Sequence, residues 1–548
     1  MLKLGFKSNT VYLYSENKDK LLKVLTDNQQ KFQAFQTILE YLDADVFLIE
    51  DNYVDKDYLE DYTSFYARCH YPYHRFCKRI HFFKKKEKFF LTDDLLKKLF
   101  YKRLTKKAKE NIQQSYIGFI VLKPSKNDDF IVGRTCLAHY NEDSKRNRKY
   151  SATREYSANL YGIPLTVKSM AFQEQDEAVA ACASIALWSA FNITGKKYQH
   201  RIPSPSEVTN LALSETSYQN GFPNEGLTAE QMAVAVSKIR LKPLILRPIG
   251  DRHLKAQIYA YLRAGIPIIC GISLYDKYKK PQKGSFISQT KSFHAVTING
   301  FSFEDGVSDI AFSDRLKLVS SRMTKFFVHD DQLCPFARMS FDTKYSQVNS
   351  KLIKLISTSW SSHDEKLNKS HQIKLEDNKI AKVDSLIIPL YHKIRISYID
   401  ILENVQKFAN KMDEFLRDFY EKINLTYIPY EWDIFLSEVN DLKRDILEQP
   451  QFEHKEIILK KGFAKYLWRA QAVYIEKKED TKDIAITEGI NDADTIEFEY
   501  NKNILFELVF DATDSKKKGL IKEIIFYDEN ISTIYHSFTS IKKQNNTP

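Results

Sequence analysis

The sequence predicts an α+β protein divided into three units. The chain has 548 residues, more than one hydrophobic core organises. Segments with helical apolar spacing alternate with short apolar runs of strand length in each third of the chain. Two polar stretches, residues 144–154 and 359–377, interrupt the pattern and read as a boundary and a linker. The expected units are residues 1–150, a mixed α/β unit of unknown role; residues 151–345, an α+β unit; and residues 346–548, a second α+β unit of unknown role.

In the first unit a helical pattern over residues 21–42 leads into an apolar strand at 45–50. An aromatic helix and a lysine-rich helix follow, then a strand over 116–122 that Pro124 stops. The last unit opens with a strand over 386–391. An amphipathic helix comes next, with Ile401, Leu402, Val405, Phe408, Met412, Phe415, Leu416 and Phe419 at helical spacing. A hairpin closes the chain, residues 504–510 and 520–527 around a turn near 515–519. This unit shows no chemistry.

Composition narrows the classes. Hydrophobic residues make up 43% and charged residues 28%, as in a soluble globular chain. The net charge of +11 comes from 82 basic and 71 acidic residues. They are interspersed, which describes a solvated mixed surface and argues against a nucleic-acid stripe. Residues 1–10 lack the apolar core of a signal peptide, and no run reaches the roughly 18 apolar residues that span a bilayer. Six cysteines in so long a chain form no disulfide framework, so reduced thiols and a cytoplasmic location are expected.

The most informative stretch is residues 172–191. After Cys182 the residues are apolar or small on every side, as in a helix buried all round. Before it lies a polar run of carboxylates and amides. A cysteine at that junction stands on the first helical turn, where unpaired amides and the helix dipole favour a thiolate. Attack on a carbonyl also needs donors aimed at the developing oxyanion. The Cys182 amide and the Gln175 side chain are candidates, with Gln173 behind. Taken singly, a small buried cysteine packing a core helix is the commoner case, so the argument needs partners.

One partner is His294, at the mouth of a strand that ends in Gly300. A strand end is rigid enough to place a general base. The run Gly265-Ile-Pro-Ile-Ile-Cys-Gly-Ile272 supplies a buried strand able to pair beside it. Residues 325–332 form another apolar strand ending in Asp330 and Asp331, either of which could hold the imidazole tautomer. Asp330 shares a strand face with Phe326 and Val328 and is favoured.

The chain order Cys182, His294, Asp330 resembles that of papain-like cysteine peptidases. Three features liken it to the bacterial branch containing double-glycine-leader (bacteriocin-processing) peptidases: a glutamine ahead of Cys182 and its Ala-rich helix, Gly265-Ile-Pro leading into a strand, and His294-Ala-Val before a strand ending in Gly300. The resemblance covers about residues 165–339. It extends to a group of bacterial proteins, without an assigned substrate, that share the Gln-Asp, Ala-Cys-Ala and Ala-Leu-Trp-Ser segments. It implies a central papain-like peptidase domain with Cys182 as nucleophile, His294 as base, Asp330 as orienter and Gln175 as oxyanion donor. A protein or peptide substrate and no metal or cofactor go with it. Two positions depart from the pattern. Gln175 stands seven residues before the cysteine instead of six, with Asp176 at the usual place, and Ala183 replaces the usual glycine.

The rival expectation is an inactive papain-like scaffold that binds a partner. Cys69, His70, His74 and Cys77, with His81 nearby, match no standard zinc spacing, and interleaved aromatics mark a packing segment. The basic regions 84–88 and 97–109 are diluted by Glu87, Asp93, Asp94 and Glu110 and read as solvated faces. Helix starts are expected at Ser204 and at Thr228, where Thr228 and Gln231 form a capping box.

Overall fold

The computed structural model describes residues 5–85, 91–101, 105–126, 129–140, 148–176, 181–215, 226–248, 250–277, 287–303, 316–348, 351–357, 379–422, 430–448, 455–474, 504–515, 520–527, 532, 535 and 536. The expected linker at 359–377 and most of the final turn lie outside them. The fold is α+β with antiparallel sheets. No helix of the described residues is long and apolar enough to cross a membrane.

The first sheet is a five-stranded meander. Its strands are β1 (Val11–Leu13), β2 (Ala44–Tyr53), β3 (Cys77–Lys84), β4 (Tyr116–Pro124) and β5 (Phe130–Leu137), in that order across the sheet. Between β1 and β2 run α1 (Tyr14–Leu25) and α2 (Gln29–Tyr41). The single helix expected over residues 21–42 is therefore two. Asn28 breaks the pattern because its side chain accepts from the amides of Gln30 and Lys31 and starts a new helix. Between β2 and β3 lies α3 (Lys56–Ser64); between β3 and β4 lie α4 (Asp93–Tyr101) and α5 (Lys106–Ser115). Helices α1 and α2 cover one face of the sheet through Leu21, Phe35 and Ile38.

After β6 (Arg148–Lys149) and the hairpin β7 (Arg154–Leu160) and β8 (Ile163–Ser169) comes α6 (Cys182–Tyr198), followed by α7 (Pro205–Leu213), α8 (Ala229–Lys238), β9 (Lys242–Leu246) and α9 (Asp251–Leu262). Ser204 caps α7, and the Thr228–Gln231 capping box starts α8. The next six strands are β10 (Ile268–Lys277), β11 (Ile287–Phe303), β12 (Met323–Asp330), β13 (Cys334–Val348), β14 (Lys351–Ser357) and β15 (Lys379–Leu390). Each pairs with the next, and β15 pairs back onto β10, so the sheet closes into an antiparallel barrel. Strand β15 contains the run expected to open the last unit; it is instead an integral strand of this barrel, with β9 on its flank.

The last sheet follows α10 (Tyr398–Lys422). It orders β16 (Tyr430–Glu438), β17 (Tyr466–Tyr474), β18 (Ile504–Asp511) and β19 (Ile521–Phe526), with α11 (Val439–Glu448) and α12 (Lys455–Lys460) between β16 and β17. The expected final hairpin is β18 and β19. Barrel, α9, α10 and last sheet share one core, which includes Ile298, Val328, Trp432 and Trp468. A second core joins the first sheet to α6 through Cys136, Phe119, Leu187 and Trp188. Helix α6 is thus enclosed between the first sheet and the barrel.

Candidate active site

Helix α6 begins at Cys182, as the apolar run requires. Residues 183–195 are buried without a break, so no face of the helix meets solvent along that length. The N-cap, Ala181, has no side-chain oxygen to satisfy the first-turn amides. Those amides and the helix dipole remain directed at the Cys182 end. Cys182 is half-buried, whereas Cys77, Cys136, Cys270 and Cys334 are buried and all six cysteines are free. Burial pushes the thiols of those four up, Cys136 to about 12, which makes them poor nucleophiles near neutrality.

His294 does not stand at the mouth of its strand. Strand β11 starts at Ile287, and His294 lies within it, opposite Ile272 of β10. Its partner comes from β12. Thr297 pairs with His329, so the next step along places Asp330 diagonal to His294 on the same sheet face. The contact is made: His294 Nε2 donates to Asp330 Oδ1 at 2.9 Å. The same oxygen accepts the Gln332 amide at 3.1 Å, which orients the carboxylate from the β12–β13 turn. Asp331, on the alternate face in a regular strand, is turned back by that bend, and its Oδ1 is 3.7 Å from Nε2.

Burial opposes charge on the His294 ring. The Asp330 carboxylate and its hydrogen bond, the Cys182 side chain and Asp331 outweigh it, holding the imidazole protonated well above the ordinary histidine range. With Nε2 engaged by Asp330, Nδ1 is the edge left for the thiol. Nδ1 is buried and has no hydrogen-bond partner here; catalytic hydrogen bonds of this kind tighten in the complex with substrate. Asp331 is pushed up to about 7 by burial and by Asp330, with the imidazole pulling the other way.

The polar run before Cys182 is not a free loop. Phe172 and Thr135 exchange backbone hydrogen bonds at 3.0 and 2.7 Å, and the Glu174 amide donates to Val132 O at 2.9 Å. Side chains alternate along this extended piece. Phe172 packs on Phe35, and Glu174 pairs with Lys31 at 3.1 Å, both on the α2 side. Gln173 and Gln175 are directed the opposite way. Gln173 is buried and its Nε2 has no hydrogen-bond partner; Gln175 is half-buried. Residues 177–180, which link this piece to α6, lie outside the described residues.

Two anchors escaped the sequence reading. His329 donates from Nε2 to the Met170 carbonyl at 3.0 Å and accepts the Phe336 amide on Nδ1 at 3.2 Å. It ties the segment ahead of Gln173 to the strand that carries Asp330. Trp188 donates its indole N–H to Asp57 at 3.1 Å, and Arg134 bridges Asp55 and Asp57 at 3.3 and 3.0 Å. A histidine beside two aspartates in a strand gave only the signal of a polar strand end.

Among the described residues, His294, Asp330 and Asp331 form one cluster able to hold a metal ion, with a ligand atom from each within 4.8 Å of the others. The Cys69–Cys77 segment makes no such group. Cys77 is buried, the Cys69 thiol approaches Phe65 O at 3.7 Å, and Tyr58 donates to the His74 carbonyl.

No protein-family model matches the chain, and no curated protein matches it.

Proposed function

We propose that the chain is a papain-like cysteine hydrolase that cleaves amide bonds, peptide bonds foremost, through Cys182, His294 and Asp330. The observation that carries this reading is the buried imidazole held on Nε2 by Asp330 and sensing the side chain of Cys182, the first residue of a buried helix with no side-chain cap at Ala181. The closed antiparallel barrel beside that helix supports the resemblance in the sequence.

In this reading the Cys182 thiolate attacks the carbonyl carbon, and the carbonyl oxygen gains the charge. The Cys182 amide and a glutamine side-chain amide, from Gln173 or Gln175, donate to that oxyanion. His294 passes the Nδ1 proton to the leaving amine, and a thioester on Cys182 remains. Water, losing a proton to the now neutral Nδ1, attacks the thioester and releases the acid and the thiol. Asp330 keeps the ring oriented and stabilises its charged form throughout.

The test is labelling with an iodoacetamide probe and peptide mapping on wild type, Cys182→Ala and His294→Ala. Selective labelling of Cys182 that falls sharply in His294→Ala supports the reading. Labelling spread over the other cysteines and indifferent to His294 leaves a non-catalytic binding scaffold.

A further inference from the structure

On the ring edge away from Cys182, two carboxylates face one nitrogen. Asp330 Oδ1 and Asp331 Oδ1 lie 2.9 and 3.7 Å from His294 Nε2, and the three side chains are 1 to 5% exposed. Only one of these oxygens can take the Nε2 proton. Asp331 has the charge of the ring but no hydrogen bond from it, and its other oxygen, Oδ2, is buried with no hydrogen-bond partner. The cation near this side, Lys31, is paired with Glu174 at 3.1 Å. A buried carboxylate in that position takes up a proton or a counter-ion.

We propose that His294, Asp330 and Asp331 form a binding site for a divalent transition-metal ion of the zinc type, whose occupation switches the thiol–imidazole pair off. One imidazole nitrogen and two carboxylate oxygens, all within 4.8 Å of one another, form a donor set that zinc accepts at about 2.0–2.2 Å. Magnesium and calcium prefer oxygen alone. Two positive charges match two carboxylates, and the unpartnered Asp331 Oδ2 is a further oxygen without a competing hydrogen bond.

The switching follows from proton accounting and rests on the hydrolase reading; binding does not. The metal takes the Nε2 lone pair, and the proton held there leaves to solvent. The remaining ring proton sits on Nδ1. The ring is then neutral, so the Cys182 thiolate loses the imidazolium that stabilised it and takes up a proton from solvent; Nδ1, already protonated and without a lone pair, cannot remove that proton again.

The test uses the full-length protein, stripped with a chelator and titrated calorimetrically with zinc as wild type, Cys182→Ala, Asp331→Asn and Asp331→Ser. Wild type and Cys182→Ala are expected to bind one ion with the same affinity, and both Asp331 variants about tenfold or more weakly. Zinc slows iodoacetamide labelling of wild-type Cys182 about tenfold or more, and chelator restores it. Cobalt(II) gives a check independent of variants, because a site without sulfur shows d–d absorption and no thiolate charge-transfer band. Loss of binding in Cys182→Ala, a thiolate band, or no binding to wild type overturns the proposal. Metal-free labelling judges the hydrolase reading separately.

Discussion

The indole of Trp188, about two turns into α6, is hydrogen-bonded to Asp57 of α3 at 3.1 Å, and Arg134 of β5 closes the group by pairing with Asp57 at 3.0 Å. The first sheet therefore fixes the helix that presents Cys182. Trp188→Phe keeps most of the packing volume but removes one donor from a buried carboxylate. A stability loss of about 1–3 kcal/mol is expected, read as a lower denaturant midpoint. An unchanged midpoint would show that Arg134 alone satisfies Asp57.

Asp330 and Asp331 separate by charge. Asp330→Asn keeps an oxygen near Nε2 but removes the charge that stabilises the imidazolium, so the thiolate population falls. Iodoacetamide labelling of Cys182 near neutral pH is expected to drop about tenfold or more, since each pKa unit lost from the pair is a factor of ten. Asp331→Asn, with no hydrogen bond to the ring, has the smaller effect in metal-free buffer. The reverse ranking would make Asp331 the orienter.

His329 makes stability depend on pH. Burial pushes its imidazole down to about 4, with the hydrogen bond to the Met170 carbonyl pulling the other way, so the folded ring is neutral, donating to Met170 and accepting from Phe336. The unfolded ring titrates near 6.5. Its contribution is complete above that value and is lost as pH falls from about 6.5 toward 4, in total on the order of 3 kcal/mol. His81 is pushed down to about 4 in the same way, so His329→Gln should reduce the acid sensitivity without abolishing it. Denaturation midpoints at pH 7.5 and 5 measure both; an equal drop in wild type and variant would refute the role of His329.

What the sequence made legible followed from local periodicity. The all-apolar run placed α6 and its start at Cys182, and strand alternation put Asp330 on the face it shares with Phe326 and Val328. Long-range pairing was invisible. Barrel closure joins Ile269 to Ile387, far apart in sequence, and no local pattern shows that residues 386–391 belong with the barrel. The split between α1 and α2 was missed because apolar spacing continues across Asn28, where a side-chain cap decides. The segment before Cys182 read as a polar loop, although Thr135 and Val132 hold it extended, and that extension sets which glutamine is buried.

That last point separates the two oxyanion candidates. Gln173 is buried with its Nε2 donor unused, whereas Gln175 is half-buried. A buried unpaired donor costs free energy unless an acceptor arrives, and a substrate oxyanion is such an acceptor. Alkylation by iodoacetamide displaces iodide at a saturated carbon and builds no oxyanion, while hydrolysis of a nitrophenyl ester does. Gln173→Ala is therefore expected to lower ester turnover about 100-fold or more and leave Cys182 labelling near the wild-type rate. Gln175→Ala should change both little. If Gln175→Ala alone depresses turnover, the donor is the glutamine nearer the cysteine, and the amide of Gln173 is a packing group whose unused proton plays no part in the reaction.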